Sequence, residues 1–338
     1  MMKKLITVLG VTGTQGGSVA SRFLSHPDWH VRGLTRKPDS AKAKYWAGRG
    51  VEVIKGDYDD LDSLRIAFSG AHAIFAVTDW AANYARVVED AALQEKAKAA
   101  GRSFEEFAGD LEEAQGINLA VAALDPVVLS TLERFVFSTL PAVQLISGGK
   151  YKHSYEFDSK AGAERYMRAH LSFVLSTVTL GIFQETWRDI AAFRPHKQPD
   201  GTFEYVNLEV SGPHDANPEV VATRDTGAFV EALILHHPPG TDVLGATEII
   251  SKRDYAALWG RTLGVQTTVR DVSEEEYVRY VPDAYKTTIV DDLRFFAEFG
   301  YTGGNAKVKT PAELGIKTSS LVEYFRDEDW SDVLEGRL

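Results

Sequence analysis

Glycines at positions 10, 13 and 16 are spaced to hold a phosphate. They lie in the run Leu9-Gly10-Val11-Thr12-Gly13-Thr14-Gln15-Gly16-Gly17. An apolar, β-branched stretch, residues 5–9, precedes them and reads as a buried strand. Residues 18–24 follow with the apolar spacing of an amphipathic helix. A strand that turns into a helix through such glycines aims free backbone N–H groups and the positive end of the helix dipole at an anion. In that setting the glycines serve a tight turn, close approach to a pyrophosphate, and close helix–strand contact. Gly10, Thr12, Gly13, Thr14, Gln15 and Gly16 are therefore candidates for binding a dinucleotide, against the plainer reading of a glycine-rich turn.

Proton chemistry could come from the block Lys150-Tyr151-Lys152-His153-Ser154-Tyr155-Glu156-Phe157-Asp158-Ser159-Lys160. A tyrosine four residues before a lysine on one helix face can act as a general acid. The lysine binds the nicotinamide ribose and lowers the tyrosine pKa. Lys160 has the right place in the chain, but Glu156 stands four residues before it. Tyr155 is five before, a phase error of about 100° on a helix. It could serve only if the helix starts late, near Asp158, and leaves it in a loop. Ser138, at the end of the strand expected over residues 134–138, could assist as a hydroxyl donor.

The elements between these residues set the rest of the site. A second strand over residues 30–34 ends in Thr35-Arg36-Lys37-Pro38. NAD-selective sites place an acid here for the ribose hydroxyl, whereas arginine suits a 2′-phosphate. Arg36 and Lys37, with Ser40 and Lys42 nearby, favour NADP(H) over NAD(H). A third strand over residues 51–57 brings Asp57 and Tyr58 to the ligand edge, where they could hold an adenine ring. Asp57 could equally cap the helix at residues 61–68. A fourth strand over residues 72–78 delivers Thr78 and Asp79 to the same edge. A sixth, over residues 172–180, ends in Leu180-Gly181-Ile182-Phe183 near the nicotinamide end.

Residues 82–115 are rich in Ala, Glu and Lys and read as a helical insertion broken at Gly101 and Gly109. Their acidic end, including Glu112 and Glu113, reads as a solvated helix face. From Arg194 onward, short strands punctuated by proline and glycine, then helices with aromatic anchors, suggest a smaller lobe. Asp225 reads as a helix cap there, and Trp187 as core more than pocket wall. The organisation expected is an α/β chain. A Rossmann-type, doubly wound parallel sheet occupies residues 1–193, and a smaller α+β lobe, with segments returning to the sheet, residues 194–338.

Composition narrows the function. The chain has 338 residues, 44% apolar and 25% charged, with a net charge of −11 and no cysteine. That acidity argues against direct nucleic-acid binding. Without cysteine there is no disulfide, thiolate metal site or thiol nucleophile. His236-His237 precedes Pro238-Pro239 without carboxylates in register, so no metal site is expected. No stretch is long enough to span a membrane and none resembles a signal peptide. A cytoplasmic protein is expected, with the nucleus also open, acting as a monomer or homodimer.

Five segments in order resemble the NmrA-like family of atypical short-chain dehydrogenases: residues 8–20, Leu34-Thr35-Arg36, Lys55-Gly56-Asp57, Val77-Thr78-Asp79-Trp80 and Phe157-Asp158-Ser159-Lys160. The resemblance spans almost the whole chain. It implies a Rossmann domain with a smaller C-terminal lobe. It also implies that the glycine loop, Arg36, Asp57, Thr78, Lys160 and residues 180–183 line the dinucleotide. Members commonly lack the Tyr-x-x-x-Lys pair, as this chain does. Regulatory members bind cofactor and a protein partner, and isoflavone-reductase relatives are reductases that use a lysine without the tyrosine. Two functions follow: a redox-sensing regulator acting through a protein partner, which the missing tyrosine favours, or an NADPH-dependent reductase of a small carbonyl or imine.

Overall fold

The computed structural model describes residues 3–338. Eight parallel strands form the central sheet: β1 (Lys4–Leu9), β2 (Trp29–Thr35), β3 (Glu52–Lys55), β4 (Ala73–Ala76), β5 (Arg134–Thr139), β6 (Leu175–Leu180), β7 (Asp242–Gly245) and β8 (Val308–Lys309). Their spatial order is β8-β7-β6-β5-β4-β1-β2-β3. The order reverses between β1 and β4: Ile6 of β1 pairs with Val31 of β2 on one side and with Ala73 of β4 on the other. That switch point opens a crevice at the carboxyl ends of the strands, where open α/β sheets bind ligands.

Helices cover both faces, which is why β4 and β6 are buried along their whole length rather than alternately. All four residues of β4 are buried. Ile6, Val8, Phe75 and Val136 pack toward α1 (Thr14–Leu24) and the distant α8 (Ala222–Leu235). Leu9, Ile74, Phe135 and Phe137 pack on the other face, with Leu64 and Phe68 of α3 (Leu61–Phe68). Ser40 caps helix α2 (Ala41–Gly48) by accepting from Ala43 N–H. Asp60, not Asp57, caps α3, accepting from the N–H groups of Asp62 and Ser63.

The insertion is three helices: α4 (Trp80–Glu89), α5 (Ala91–Ala99) and α6 (Phe104–Ala123). Gly101 does break it, at φ +67°. Gly109 does not. The Ser103–Glu106 capping box starts α6, and the helix runs through Gly109 without interruption. Helix α7 (Tyr155–His170) starts well before the expected boundary. Glu156 and Asp158 occupy its first turn and suit the dipole there.

The smaller lobe holds two three-stranded sheets. One centres on Ala216–Val220, the other on Phe203–Leu208. Helices α9 (Lys252–Leu263), α10 (Lys286–Phe299) and α11 (Leu321–Asp327) complete it. Trp187 is in the aromatic core of this lobe, its ring stacked on Trp330 at 4.4 Å. The run from Asp242 to Ile250 is not one strand. It splits into β7, in the main sheet, and Glu248–Ser251, in the lobe. Asp225 is no cap either: in the first turn of α8 it accepts from Ser319 N–H and from the hydroxyls of Ser319 and Thr247. Among the described residues no helix is long and apolar enough to cross a membrane, and no group of three or more His, Cys, Asp or Glu could hold a metal.

Candidate functional site

One cleft of about 850 Å³ follows the carboxyl ends of the strands from β2 to β6 and continues under the smaller lobe. At its centre is the β1–α1 turn. Gly10 takes φ +63°, and Gly13 N–H donates to Gly10 O at 2.8 Å. A Cβ on Gly16 would lie 2.3 Å from Gly10 O, so no side chain fits there. Gly13 caps α1 without any side-chain bond to the first-turn N–H groups. Gln15 Oε1 is buried without a partner among the described residues, beside this turn. The geometry is a backbone cradle for an anion.

Toward β2, Arg36 and Lys37 are exposed and line the cleft wall. Neither makes an ion pair among the described residues, whereas their neighbour Arg32 reaches Glu52 at 3.1 Å. Asp57 and Tyr58 follow on the same wall. Burial, and then the Asp79 carboxylate, push the Tyr58 hydroxyl far above its ordinary pKa, so it stays neutral. Asp79 lines the cleft while its Oδ1 caps α4, accepting from Ala82 N–H at 3.0 Å. Thr78 Oγ1 is buried without a partner among the described residues. Ser138, Leu180, Gly181 and Phe183 close the far end. A cradle that tolerates no Cβ, two orphaned polar atoms and two free cations at the β2 end fit a dinucleotide carrying a 2′-phosphate.

Lys160 is on the cleft, 8% exposed. Its ammonium pairs with Glu112 Oε1, and Ser159 Oγ donates to the other carboxylate oxygen. Glu112 is fully buried, which corrects its reading as part of a solvated face. A Cβ on Gly116 would meet Ala163 Cβ at 2.4 Å, so α6 lies close against α7 and delivers Glu112 to Lys160. A signal for this existed: Gly109, Glu112 and Gly116 recur at helical spacing, marking a face of α6 that packs.

Tyr155 does not reach the cleft. The late helix start it required is absent, and as the first residue of α7 it turns away. Its ring stacks on Trp80, 6.5 Å away at 16°, with its Cβ against Gly109. Glu156 takes the cleft position instead. Its Oε2 is buried without a hydrogen-bond partner among the described residues, and its carboxyl lies beside that of Asp292 on α10. Burial pushes Glu156 up to about 7, partly offset by the nearby Lys160 ammonium. Burial also raises Asp292 well above the usual carboxylate range, reinforced by Glu156. Sequence reasoning missed Asp292 altogether, since its partner is on another lobe. Beside this pair the same cleft forms an apolar chamber walled by Phe157, Ile190, Phe193, Ile289, Leu293 and Phe296.

Comparison with known proteins agrees with this architecture. The model of the NmrA-like family matches residues 2–325. An NmrA-like family domain-containing oxidoreductase of Aspergillus hancockii is 31% identical, covering 98% of this chain and 95% of that protein. The crystal structure of NmrA, a negative transcriptional regulator, superposes with a TM-score of 0.69 at 19% identity, covering 100% of this chain and 99% of that one. An NADPH-dependent quinone oxidoreductase of Escherichia coli, solved with NADPH, gives a TM-score of 0.65 at 18% identity, covering 95% and 99%.

Proposed function

The chain belongs to the NmrA-like family, and from that premise we propose that it is an NADP(H)-dependent reductase of a small carbonyl or imine compound. The observation that carries this reading is the chamber beyond Lys160: an apolar pocket continuous with the nucleotide cleft and covered by a second lobe. Pockets with such a lining suit a small organic substrate. That observation reverses the order suggested by the missing tyrosine, since Glu156 and Asp292 give the chamber its own titratable groups.

The β1–α1 turn would hold the pyrophosphate, and Arg36 with Lys37 the 2′-phosphate. Asp57 and Tyr58 would flank the adenine, and Lys160 would hold the nicotinamide ribose. When bound, NADPH supplies a hydride. Lys160, fixed by Glu112, orients the ribose, and the phenylalanines of the chamber exclude water from the reacting end. The cofactor's homologous support is that related oxidoreductases and regulators were solved with NADP, NAD or NADPH.

A redox-sensing regulator would use the same cradle and report to a partner. Helix α5 favours it as a second reading: it buries only Ala97 and leaves its charged residues outward. Monitoring NADPH absorbance over a panel of aldehydes, ketones, quinones and cyclic imines separates the two. Substrate-dependent consumption that is lost in Lys160→Ala is the expected result. Tight NADPH binding with no consumption on any compound would favour the regulator and end the reductase reading.

A further inference from the structure

Reduction of a carbonyl or imine needs a proton at the heteroatom as well as a hydride at carbon, and Tyr155 is outside the cleft. We infer that Glu156 and Asp292 share one proton at neutral pH and that Glu156 delivers it to the substrate oxygen or nitrogen. The inference rests on the reductase reading above.

The placement comes first. Glu156 is one turn before Lys160 on α7, so the two side chains share a helix face, and both line the cleft. Asp292 arrives from α10 in the other lobe, 6% exposed, and also lines the cleft. The two carboxyls lie side by side, close enough for each to act on the other's proton. Glu156 Oε2 and Asp292 Oδ1 are buried without a hydrogen-bond partner among the described residues. Like-charged carboxyls held this close do not both ionise.

Two neighbours oppose the rise without removing it: the Lys160 ammonium beside Glu156 and the Ser154 hydroxyl beside Asp292. On α7 the only facing cation is Lys160, already paired with Glu112 of α6. On α10, Asp291 adds negative charge and is engaged by His153 at 2.8 Å. Tyr301 donates to Leu180 O at 2.6 Å and is not free to give its proton. Tyr285 also faces the chamber, but burial pushes it up to about 12, a poor donor at neutral pH. The pair, with Glu156 near 7, is matched to the working pH of a general acid.

The step balances. A hydride adds to the substrate carbon while the carboxyl O–H bond breaks and a new O–H or N–H bond forms. The nicotinamide is oxidised by two electrons and the substrate reduced by two, giving an alcohol or amine. The pair, left without its proton, takes one from water when product leaves.

Infrared spectroscopy of the full chain tests the shared proton directly. A carboxylic-acid carbonyl band at pH 7 that shifts in D₂O, and is missing from Glu156→Gln/Asp292→Asn, is expected. Its absence from the unaltered chain overturns the inference whatever the turnover, and needs no variant to fold. For delivery, Glu156→Gln should lower kcat by about 10²–10⁴-fold with the dissociation constant of NADPH changed by less than about twofold. Its kcat should also lose the decline with rising pH near 7, and Asp292→Asn should shift that decline. An unchanged kcat and pH profile in Glu156→Gln overturns the inference and leaves the reductase reading standing. Loss of turnover in Tyr285→Phe alone moves the donor to Tyr285 and has the same effect. A D₂O-sensitive band without turnover of any compound overturns the reductase reading and the delivery step with it.

Discussion

Replacing Glu112 by Gln should destabilise the fold far more than so small a change of atoms suggests. Gln keeps the shape but removes the charge that Lys160 faces and the acceptor that Ser159 uses. Breaking a buried ion pair by removing one partner costs roughly 3–5 kcal/mol, because the remaining charge is uncompensated. Glu112 is fully buried, but Lys160 borders the cleft at 8% exposure and gains some hydration. The cost should therefore fall at the low end, about 3 kcal/mol. Unfolding entropy near 60 °C is about 2.1 cal/mol/K per residue, or about 0.7 kcal/mol/K for this chain. The expected drop in Tm is then about 4 °C, read by calorimetry or by far-UV circular dichroism. A second variant separates charge from packing. Glu112→Gln/Lys160→Met removes both charges and should recover much of the loss. A shift below about 1 °C in Glu112→Gln, or a double variant no more stable than Glu112→Gln, would refute the reasoning.

Two further outcomes follow from the same geometry. Arg36→Ala should weaken NADPH by roughly 10–150-fold, the worth of one charge-assisted bond of about 1.5–3 kcal/mol, while NADH changes by no more than about twofold; equal losses by titration calorimetry would place Arg36 outside the 2′-phosphate site. Glu156, at about 7 in the fold against an ordinary 4.5, keeps its proton while folded and releases it on unfolding between those values. The folded state then holds more protons, so its contribution to stability is full below about pH 4.5 and is lost as pH rises through about 7, at up to about 1.4 kcal/mol per pH unit. Glu156→Gln should flatten that decline, so that its Tm gains on the parent between pH 5 and pH 8. A gap that stays constant with pH would contradict the raised value.

The half of the cleft around the β1–α1 turn was legible because its residues are local. Each one follows a strand directly, and a parallel sheet brings consecutive strand ends to one edge whatever the details of packing. Gly10 through Gly16, Arg36, Asp57, Thr78 and Leu180 needed only the order of strands to fall in line. The half around Lys160 was not legible for the opposite reason. Glu112 precedes Lys160 by 48 residues, and its acidic surroundings resemble a solvated face until the crossing of α6 and α7 is known. Asp292 meets Glu156 only because the smaller lobe folds back over the sheet. Tyr155 failed on one turn of helix: the acidic residues at its start extended α7 to Tyr155 and turned that ring onto Trp80.

The interleaving of the chain has a mechanical consequence. After entering the smaller lobe the backbone returns to lay down α8 against α1, then β7, and again for β8. Gly227 N–H on α8 donates to Ser18 Oγ on α1, pinning the return. Several separate crossings join the two halves, so they cannot swing apart about a single pivot as two-lobed clamps do. Cutting the chain after residue 193 would remove two sheet strands and strip the cover from Val19 and Phe23, so the nucleotide half is not a detachable module.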